Sequence, residues 1–388
     1  MKPRNRLAPA LVLLTAIRLV VNTGHRLVSP FLPVIARGIG IPLDQAGTLV
    51  AARSAASLAT PVIVGFSRRY DRRSVIQIGL AMFAAGSALA AILGTFAGVT
   101  AGFVLMGLGK AVFDVSGQAY LSDRTPYRQR ARWLALFETT WAGGFLIGAP
   151  IVGWLISWKG WESAYLAIAG VLVVLLISTV RPLEPDHPDM GERGRLSLDR
   201  SARWLLVVVA LFSFGGEAVA VVLGAWLEDD LAFALGAIAG LASLIGVAEL
   251  VGASSTAAFT DRLGKRRSVA IGLVVGAIGY LGLALSGGAV VFGILSALVT
   301  FAGFEFTIVS TFPLASEAVQ GARARYLAWV VVAVGVGRTI AGYAGTRVFS
   351  SLGFGWNAML AVTANLLALI LLMGMVSEPS GDAATEPG

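Results

Sequence analysis

The chain alternates long apolar stretches with short polar segments that are rich in arginine. Twelve of the apolar stretches are long enough to cross roughly 30 Å of hydrocarbon as helices. We number them spans 1 to 12, and they cover residues 8–36, 45–66, 74–96, 98–120, 133–157, 162–180, 204–227, 234–259, 268–286, 289–314, 326–349 and 354–376. Open strands would leave their backbone groups unpaired in lipid. The pattern therefore predicts an all-α integral membrane protein with twelve transmembrane helices.

The composition agrees with a membrane protein and excludes several other classes. Of the 388 residues, 56% are hydrophobic and only 13% are charged, whereas soluble domains carry about 25% charged residues. The chain has no cysteine and only two histidines, His25 and His187, so disulfides, thiolate sites and histidine-rich metal sites are excluded. We expect no metal and no other cofactor. The net charge of +8 is spread over short blocks between the spans, so we expect no nucleic-acid partner.

The basic residues indicate the orientation of the chain in the bilayer. With twelve spans, 22 of the 30 lysines and arginines lie on the side that carries both termini. The opposite side keeps three, Arg37, Lys159 and Arg347, and five lie within spans. Basic residues concentrate in the cytoplasmic loops of membrane proteins. The sequence therefore predicts a multi-pass protein of the cell (inner) membrane with both termini in the cytoplasm.

A polar segment, residues 182–203, divides the spans into two sets of six. Its mixture of charged residues and prolines is typical of a solvated linker. The sequence therefore predicts an N-terminal six-helix bundle over residues 1–181, a cytoplasmic linker over 182–203, and a C-terminal six-helix bundle with a short polar tail over 204–388.

The two sets of spans share short segments of sequence at one constant offset. Residues 130–135 (RARWLA) begin span 5, and residues 323–328 (RARYLA) begin span 11, 193 positions later. At the same offset, residues 67–73 (SRRYDRR) after span 2 match residues 260–266 (TDRLGKR) after span 8. These matches indicate a parallel duplication. Such halves are related by a pseudo-twofold axis along the membrane normal, with a substrate site between them near the midplane.

The segment at 260–267 (TDRLGKRR) resembles the loop pattern D-R-x-G-[RK]-[RK] of the major facilitator superfamily. The resemblance covers nearly the whole chain, because the twelve spans, the repeat and the long central linker agree with it. It implies the fold of that family and, for Asp261 and Arg262, a role in a conformational latch. The first-half copy departs from the pattern, since Arg68 stands in place of the aspartate and Asp71 in place of the glycine.

Two further segments resemble elements of exporting members of the family. Residues 29–33 (SPFLP) are similar to the P-x-x-P element of drug exporters. Residues 144–153 (GFLIGAPIVG) are similar to the antiporter element G-x-x-x-G-P-x-x-G-G, with one extra residue before the proline. Small residues four apart permit close helix contact, and Pro150 is expected to bend span 5 or to free a carbonyl. These resemblances favour export.

Charged side chains within a membrane are costly, so each is a candidate functional residue. The spans contain five bases and five acids: Arg18, Arg26, Arg53, Lys110, Arg338, Asp114, Glu138, Glu217, Glu249 and Glu305. None of them lies in spans 3, 6, 9 or 12. In the superfamily fold, spans 1, 4, 7 and 10 line a central cavity, spans 2, 5, 8 and 11 flank it, and the other four lie outside. The resemblance therefore implies a polar cavity with spans 3, 6, 9 and 12 at the periphery.

Span 1 carries a row of polar residues. Arg18, Asn22, His25 and Ser29 recur at spacings of four, three and four, which places them on one helical face with Arg26 beside it. We predict that this face lines the cavity.

Four further residues of the cavity-lining spans are candidates for the substrate and proton pathway. Lys110 and Asp114 are one turn apart in span 4, so their side chains can meet directly. Asp114 is the first candidate for the proton carrier, because its charge is coupled to that of Lys110. Glu217 and Glu305 are the alternatives, since each lacks a basic neighbour in its own span.

Flanking or gating roles are predicted for the remaining charges of the adjoining spans and the latch loop, namely Glu138, Glu249, Arg338, Asp261 and Arg262. Among the tryptophans, Trp141 is the candidate cavity aromatic, because the others mark the ends of spans as in an aromatic belt.

The resemblance implies a secondary active transporter that moves a small organic solute by alternating access, with protons as the coupling ion and as a monomer. Proton-coupled efflux is the leading prediction. Proton-coupled uptake of a sugar or organic acid and, in another class, a non-transporting membrane sensor are the alternatives. No phosphate-binding or hydrolase motif is found, so we predict neither ATP coupling nor an enzyme. Arg18, His25 and Arg26 would suit an anionic solute and Glu217 and Glu305 a cationic one, and the sequence leaves both open.

Overall fold

The computed structural model describes residues 7–67, 69–125, 127–184, 196–319 and 322–378, except for the side chains of residues 7, 8, 127–132, 257 and 261. Apart from short turns within spans 1, 5 and 7, the described chain is helical through its twelve spans. The helices are Leu7–Arg26 and Val28–Gly38 in span 1; Leu43–Ala55, the 3₁₀ turn Ala56–Ala59 and Thr60–Ser67 in span 2; Arg72–Leu93; Phe96–Arg124; Tyr127–Leu146 and Gly148–Lys159 in span 5; Trp161–Ser178; Arg200–Ala220, Leu223–Ala225 and the π turn Trp226–Asp230 in span 7; Leu235–Leu263; Lys265–Ala284; Val290–Ala318; Arg323–Leu352; and Phe354–Met375.

The length and hydropathy of these helices suit a membrane-spanning protein. Within the described residues, eleven helical segments are long and apolar enough to cross a bilayer. A twelfth crossing is obtained when the two helices of span 1, Pro9–Arg26 and Val28–Gly38, count as one span with a bend of 53°. The predicted all-α membrane architecture is therefore confirmed.

Prolines account for two of the breaks within spans. A proline ring clashes with the carbonyl group four residues earlier, and its nitrogen cannot donate to it. The first helix of span 1 ends at Arg26, four residues before Pro30, and the first helix of span 5 ends at Leu146, four residues before Pro150. The Leu146 carbonyl instead accepts a hydrogen bond from the Ser243 hydroxyl of span 8 at 3.2 Å. The expected effect of Pro150 is thus confirmed.

Two polar connections are shorter than the sequence predicts. The first helix of span 5 begins at Tyr127, six residues before the predicted start, because amphipathic helices can continue past the hydrocarbon into the interface. Span 7 begins at Arg200, inside the predicted linker 182–203, because the Asp199 side chain caps the helix by accepting a hydrogen bond from the Ala202 amide at 2.6 Å. Residues 185–195 of the linker lie outside the described chain.

The contacts between the first six and the last six spans run mainly along two helix pairs, span 2 with span 11 and span 5 with span 8. Glycines permit both close approaches. Gly47 of span 2 lies against Gly342 and Thr346 of span 11, and Gly153 of span 5 lies against Ala239 of span 8. The offset of 193 residues relates span 2 to span 8 and span 5 to span 11. The two contacts are therefore equivalent under the sequence repeat.

The two faces of the molecule are packed differently. We call the face at which span 1 begins and span 12 ends the terminus face, and the opposite one the far face. At the far face, Val28–Gly38 of span 1 packs on Leu223–Ala225 of span 7, and the Arg37 guanidinium lies 2.9 Å from the Glu228 carboxylate. Within the described residues, no comparable packing joins Leu7–Arg26 to Arg200–Ala220 on the side of the terminus face. The interface between the two sets of spans is therefore closed at the far face and looser towards the terminus face.

Candidate functional site

A small cavity lies between the two sets of spans. We call it the central cavity. Its charged and histidine lining residues are His25, Arg26, Arg53, Glu217, Glu249 and Arg338. The other lining residues are Ser29, Trp141, Phe145, Gly216, Ala220, Leu223, Tyr280, Thr300, Phe301 and Phe304. The cavity is thus built by both sets of spans and combines charge with aromatic surface.

One wall of the central cavity is an ion pair between the two sets of spans. Arg26 of span 1 binds Glu249 of span 8 through two parallel hydrogen bonds of 2.6 and 2.5 Å. The two side chains are only 5% and 2% exposed. Arg26 also donates to the Trp141 carbonyl at 2.8 Å and stacks over the Phe145 ring, 3.5 Å from its centroid. This bidentate geometry satisfies the buried guanidinium well.

The opposite wall holds a carboxylate between two arginines that do not hydrogen-bond to it. Glu217 of span 7 lies 3.9 Å from Arg53 of span 2 and 3.8 Å from Arg338 of span 11. Both separations exceed hydrogen-bonding distance. The buried Nε atoms of Arg53 and Arg338 and Oε1 of Glu217 have no hydrogen-bond partner within the described residues. The arginines and Glu217 are therefore close enough to attract one another, yet each keeps polar atoms that no described residue satisfies.

His25 and Trp141 lie near these charges. Their rings are 6.4 Å apart, and the buried Nδ1 atom of His25 has no hydrogen-bond partner among the described residues. Three cations surround the Trp141 ring: Arg26 at 4.4 Å, Arg338 at 5.4 Å and Lys110 at 5.7 Å from its centroid. The negative face of an indole attracts cations. Trp141 is thus both a lining aromatic and a link to a second group of charges.

That second group, which we call the Arg18 cluster, consists of Arg18, Asn22, Lys110, Asp114 and Glu138. The carboxylate of Asp114 accepts from Lys110 at 2.7 Å and from Arg18 at 3.3 Å. Arg18 also donates to Glu138 at 3.0 Å, and Lys110 donates to the Asn22 side chain at 2.7 Å. The Glu138 side chain is 50% exposed, whereas that of Arg18 is 7% exposed. The charges of Arg18 and Lys110 therefore balance those of Asp114 and Glu138. The cluster is accessible from outside through Glu138.

Glu305 differs from the other membrane-embedded acids. Its residue is only 8% exposed, and its carboxyl has neither an ion pair nor a hydrogen bond to any described residue. Thr307 and Phe304, its neighbours in span 10, use their polar and aromatic groups elsewhere. A buried carboxylate without a partner is costly, so the protonated form fits this environment best.

The structure divides the predicted polar face of span 1. Arg18 and Asn22 join the Arg18 cluster, while His25, Arg26 and Ser29 line the central cavity. Lys110 and Asp114 form the predicted pair, and Asp114 gains Arg18 as a second partner. Of the other predicted residues, Glu217, Glu249 and Arg338 line the cavity, Glu138 pairs with Arg18, and Glu305 is buried in span 10 outside the lining.

The prediction that spans 3, 6, 9 and 12 stay away from the cavity is wrong for span 9. Tyr280, in the last two turns of that helix, contributes to the lining. Gly279 beside it lets span 9 approach the backbone of Thr300 in span 10 closely, so a long aromatic side chain can reach the cavity. Sequence periodicity did not single out this residue. Arg53 was absent from the predicted site, although its position within a span was a sufficient signal.

The latch prediction rests on residues at the terminus face. Asp261 lies in the last turn of the span 8 helix, and its side chain is outside the described residues, as is Arg68 altogether. Arg262 is exposed. In the same loop, Lys265 forms an ion pair with Glu317 of span 10. The loop thus contacts a cavity-lining helix through Lys265.

Twelve apolar spans around a charged cavity that both sets of helices line define a multi-pass membrane protein of the α-helical class. The sequence matches the family profile described as Major Facilitator Superfamily over residues 14–342. The chain belongs to the Major Facilitator Superfamily, as its sequence motifs had indicated.

Relatives of known sequence carry the same family name. The chain is 24% identical to the uncharacterized MFS-type transporter YbcL of Bacillus subtilis, over 65% of this chain and 66% of that protein. It is 27% identical to MFS transporter L2 of a Phoma species, over 58% of this chain and 37% of that protein. The matches thus span less than two thirds of the length of either relative.

Among solved structures, the fold is similar to the crystal structure of a D-xylose–proton symporter. The TM-score is 0.79 at 15% sequence identity, and the alignment covers 96% of this chain and 98% of the other. At this identity the similarity concerns the fold.

Proposed function

We propose that the protein is a secondary active transporter that moves a small organic solute through the central cavity, coupled to protons. The observation that carries this proposal is the cavity itself, which is charged, closed at the far face and looser towards the terminus face. A site of this kind between two packed sets of spans suits alternating access, because rocking one set against the other exposes it to each face in turn. The same packing pattern supports two six-helix bundles related by a pseudo-twofold axis.

Glu305 is the proton carrier in this proposal. Asp114, the first candidate on sequence grounds, is held by both Lys110 and Arg18, so its protonation would leave two cations without their shared anion. Glu305 has no cation to release and lies next to Phe304 of the cavity lining. Binding and release of a proton at Glu305 changes the charge near the cavity by one unit without breaking an ion pair.

The test is transport by the purified protein in liposomes with an imposed pH gradient. Glu305→Gln should abolish gradient-driven accumulation of a labelled solute while leaving solute exchange across the membrane measurable. The matched control is Glu162→Gln, because Glu162 lies in the first turn of span 6 and does not line the cavity. Accumulation that persists in Glu305→Gln would refute the assignment of the carrier. Loss of accumulation in Asp114→Asn alone would return that role to Asp114.

The direction of transport has two candidates. Export remains our first proposal, because the segments at 29–33 and 144–153 resemble those of exporters. Uptake of an organic acid is the second, and it is favoured by the lining of the cavity, where three arginines face two glutamates. Reversing the imposed pH gradient separates the two, since an antiporter accumulates solute against the proton flow and a symporter along it.

We further propose a membrane location, an oligomeric state and a latch for this protein. The excess of basic residues at the terminus face supports a cytoplasmic location for both termini in a cell membrane. The cavity is built from one chain, which supports a functional monomer. Asp261 and Arg262, at the family's latch position, are proposed to control the opening of the terminus face.

A further inference from the structure

We propose that the central cavity binds an aromatic monocarboxylate, whose carboxylate lies between Arg53 and Arg338 and whose ring packs on Trp141 and Phe304. This inference rests on the proposed function, because it names the solute class for that same cavity. It depends on three independent observations, namely unused hydrogen-bond donors, the charge balance of the lining and its aromatic character.

The first observation concerns unused donors. The Nε–H groups of Arg53 and Arg338 are buried and have no acceptor within the described residues. Both arginines approach Glu217 only to 3.9 and 3.8 Å, at different oxygens of its carboxylate. A buried donor without an acceptor is unfavourable, and more so when it is charged. A second carboxylate in the central cavity, beside these two arginines, would accept from both Nε–H groups in short, charge-assisted bonds.

The second observation is the charge of the lining. Arg26, Arg53 and Arg338 face Glu217 and Glu249, so with a neutral His25, and a protonated Glu305 beside the cavity, the lining keeps one positive charge in excess. Arg26 is fully used by Glu249, which leaves the excess at the Arg53–Arg338 pair. The neighbouring Arg18 cluster is balanced and offers no compensation. One negative charge neutralises the cavity, whereas a cation would add to the excess and a dianion would reverse it.

The third observation is the aromatic surface beside Arg338. The Arg338 guanidinium lies 5.4 Å from the centroid of Trp141 and 6.0 Å from that of Phe304, so rings flank the place where the carboxylate binds. Phe301 and Tyr280 extend this surface. A flat aromatic ring can stack or meet these rings edge to face. A polyhydroxylated solute would instead need many neutral polar partners, and the lining supplies mainly Ser29 and Thr300.

The experiment measures binding to the purified, detergent-solubilised protein by titration calorimetry with four probes of similar shape. Benzoate is the proposed class; benzylamine has the opposite charge, benzyl alcohol has none and phthalate has two negative charges. Because a hydrogen bond to a charged group contributes about 1.5–3 kcal/mol, benzoate should bind at least about tenfold more tightly than each of the others. Equal or tighter binding of benzylamine or benzyl alcohol would overturn the proposal.

Variants locate the site. Arg338→Gln should weaken benzoate binding by about tenfold or more, and Arg338→Lys should weaken it less, because lysine keeps the charge but loses the planar fork of donors. Arg347→Gln is the matched control, since Arg347 lies in the same helix but is half-buried near the far face and does not line the cavity, and its benzoate affinity should equal that of the parent. Unchanged affinity in a folded Arg338→Gln variant would contradict the assigned site.

The outcome also separates this inference from the proposed function. If a pH gradient drives benzylamine into liposomes and benzoate does not bind, the solute class is wrong and the transporter proposal stands. If benzoate binds at Arg338 but no gradient moves any probe, the binding site stands and the transport proposal fails.

Discussion

At the residue scale, the membrane interior of this protein is organised by pairs of opposite charge that join distant parts of the chain. Arg26 and Glu249 are 223 residues apart in sequence, and Arg18 and Glu138 are 120 apart. Desolvation of such ions is offset only when the geometry is good and the remaining polar atoms are satisfied. Arg26 and Glu249 meet this condition, whereas Glu217 does not. The geometry of the first pair therefore suits a structural role, whereas polar atoms around Glu217 lack partners within the described residues.

This difference leads to a stability prediction for the Arg26–Glu249 pair. Glu249→Gln should lower the free energy of unfolding by about 3–5 kcal/mol, because it leaves the Arg26 charge buried without a counter-ion. The double variant Arg26→Gln/Glu249→Gln should lose much less than the sum of the two single variants. Unfolding in mixed micelles measures all three.

The matched control is the exposed Arg37–Glu228 pair at the far face, for which the same set of variants should give a coupling below about 1 kcal/mol. Equal couplings for the two pairs would show that burial of Arg26 and Glu249 does not determine their contribution.

The sequence predicted the members of the candidate site better than their arrangement. Every charge within a span was identifiable, because charge in an apolar stretch stands out in the sequence. Lys110 and Asp114 were paired correctly because they lie on one helix. The partners of Arg26 and Glu217 were not predictable, since they depend on which spans are neighbours and on the depth of each residue in the membrane. Tyr280 had no sequence signal, as an aromatic in an apolar helix is unremarkable.

At the scale of single elements, breaks in the helices shape both the cavity and its closure. The sequence predicted the number of spans and their approximate limits, because each is long and apolar. It contained the prolines but did not show which of them would break a helix. Pro30 and Pro150 coincide with breaks, whereas the span 10 helix continues through Pro313. In span 5 the freed carbonyl group finds a partner in Ser243, which only tertiary packing can supply.

The closure at the far face depends on a close approach between the broken ends of spans 1 and 7. A Cβ atom at Gly224 would collide with the backbone of Pro30. We therefore expect Gly224→Val to loosen the far face and to favour the state that is open there. Overpacking of this kind costs about 1–3 kcal/mol, so the population of that state should rise roughly tenfold.

The absence of cysteine makes this measurable. A single cysteine at Ala220, a lining residue, should react with a membrane-impermeant thiol reagent from the far face about tenfold faster when Gly224→Val is present. Gly240→Val is the control, because a Cβ atom at Gly240 would meet no other atom. The same labelling rate in both variants would mean that the Pro30–Gly224 contact does not hold the far face closed.

At the scale of the whole molecule, the repeat seen in the sequence reappears in the packing. The constant offset of 193 residues relates the span 2–span 11 contact to the span 5–span 8 contact, and both use glycines. Between these two contacts, spans 1 and 7 pack together at the far face and show no comparable packing towards the terminus face within the described residues. An interface of two similar helix pairs with a cavity between them is a suitable pivot for alternating access.

The measurement that tests this account most directly is a pair of distances followed by pulsed electron paramagnetic resonance. Spin labels at Gln45 and Ala234 report on the far face, and labels at Tyr70 and Leu263 report on the terminus face; all four positions are exposed. When the pH is changed or benzoate is added, one distance should lengthen as the other shortens, because a single cavity opens to one face at a time. Distances that stay fixed under every condition, or that lengthen together, would contradict transport by alternating access.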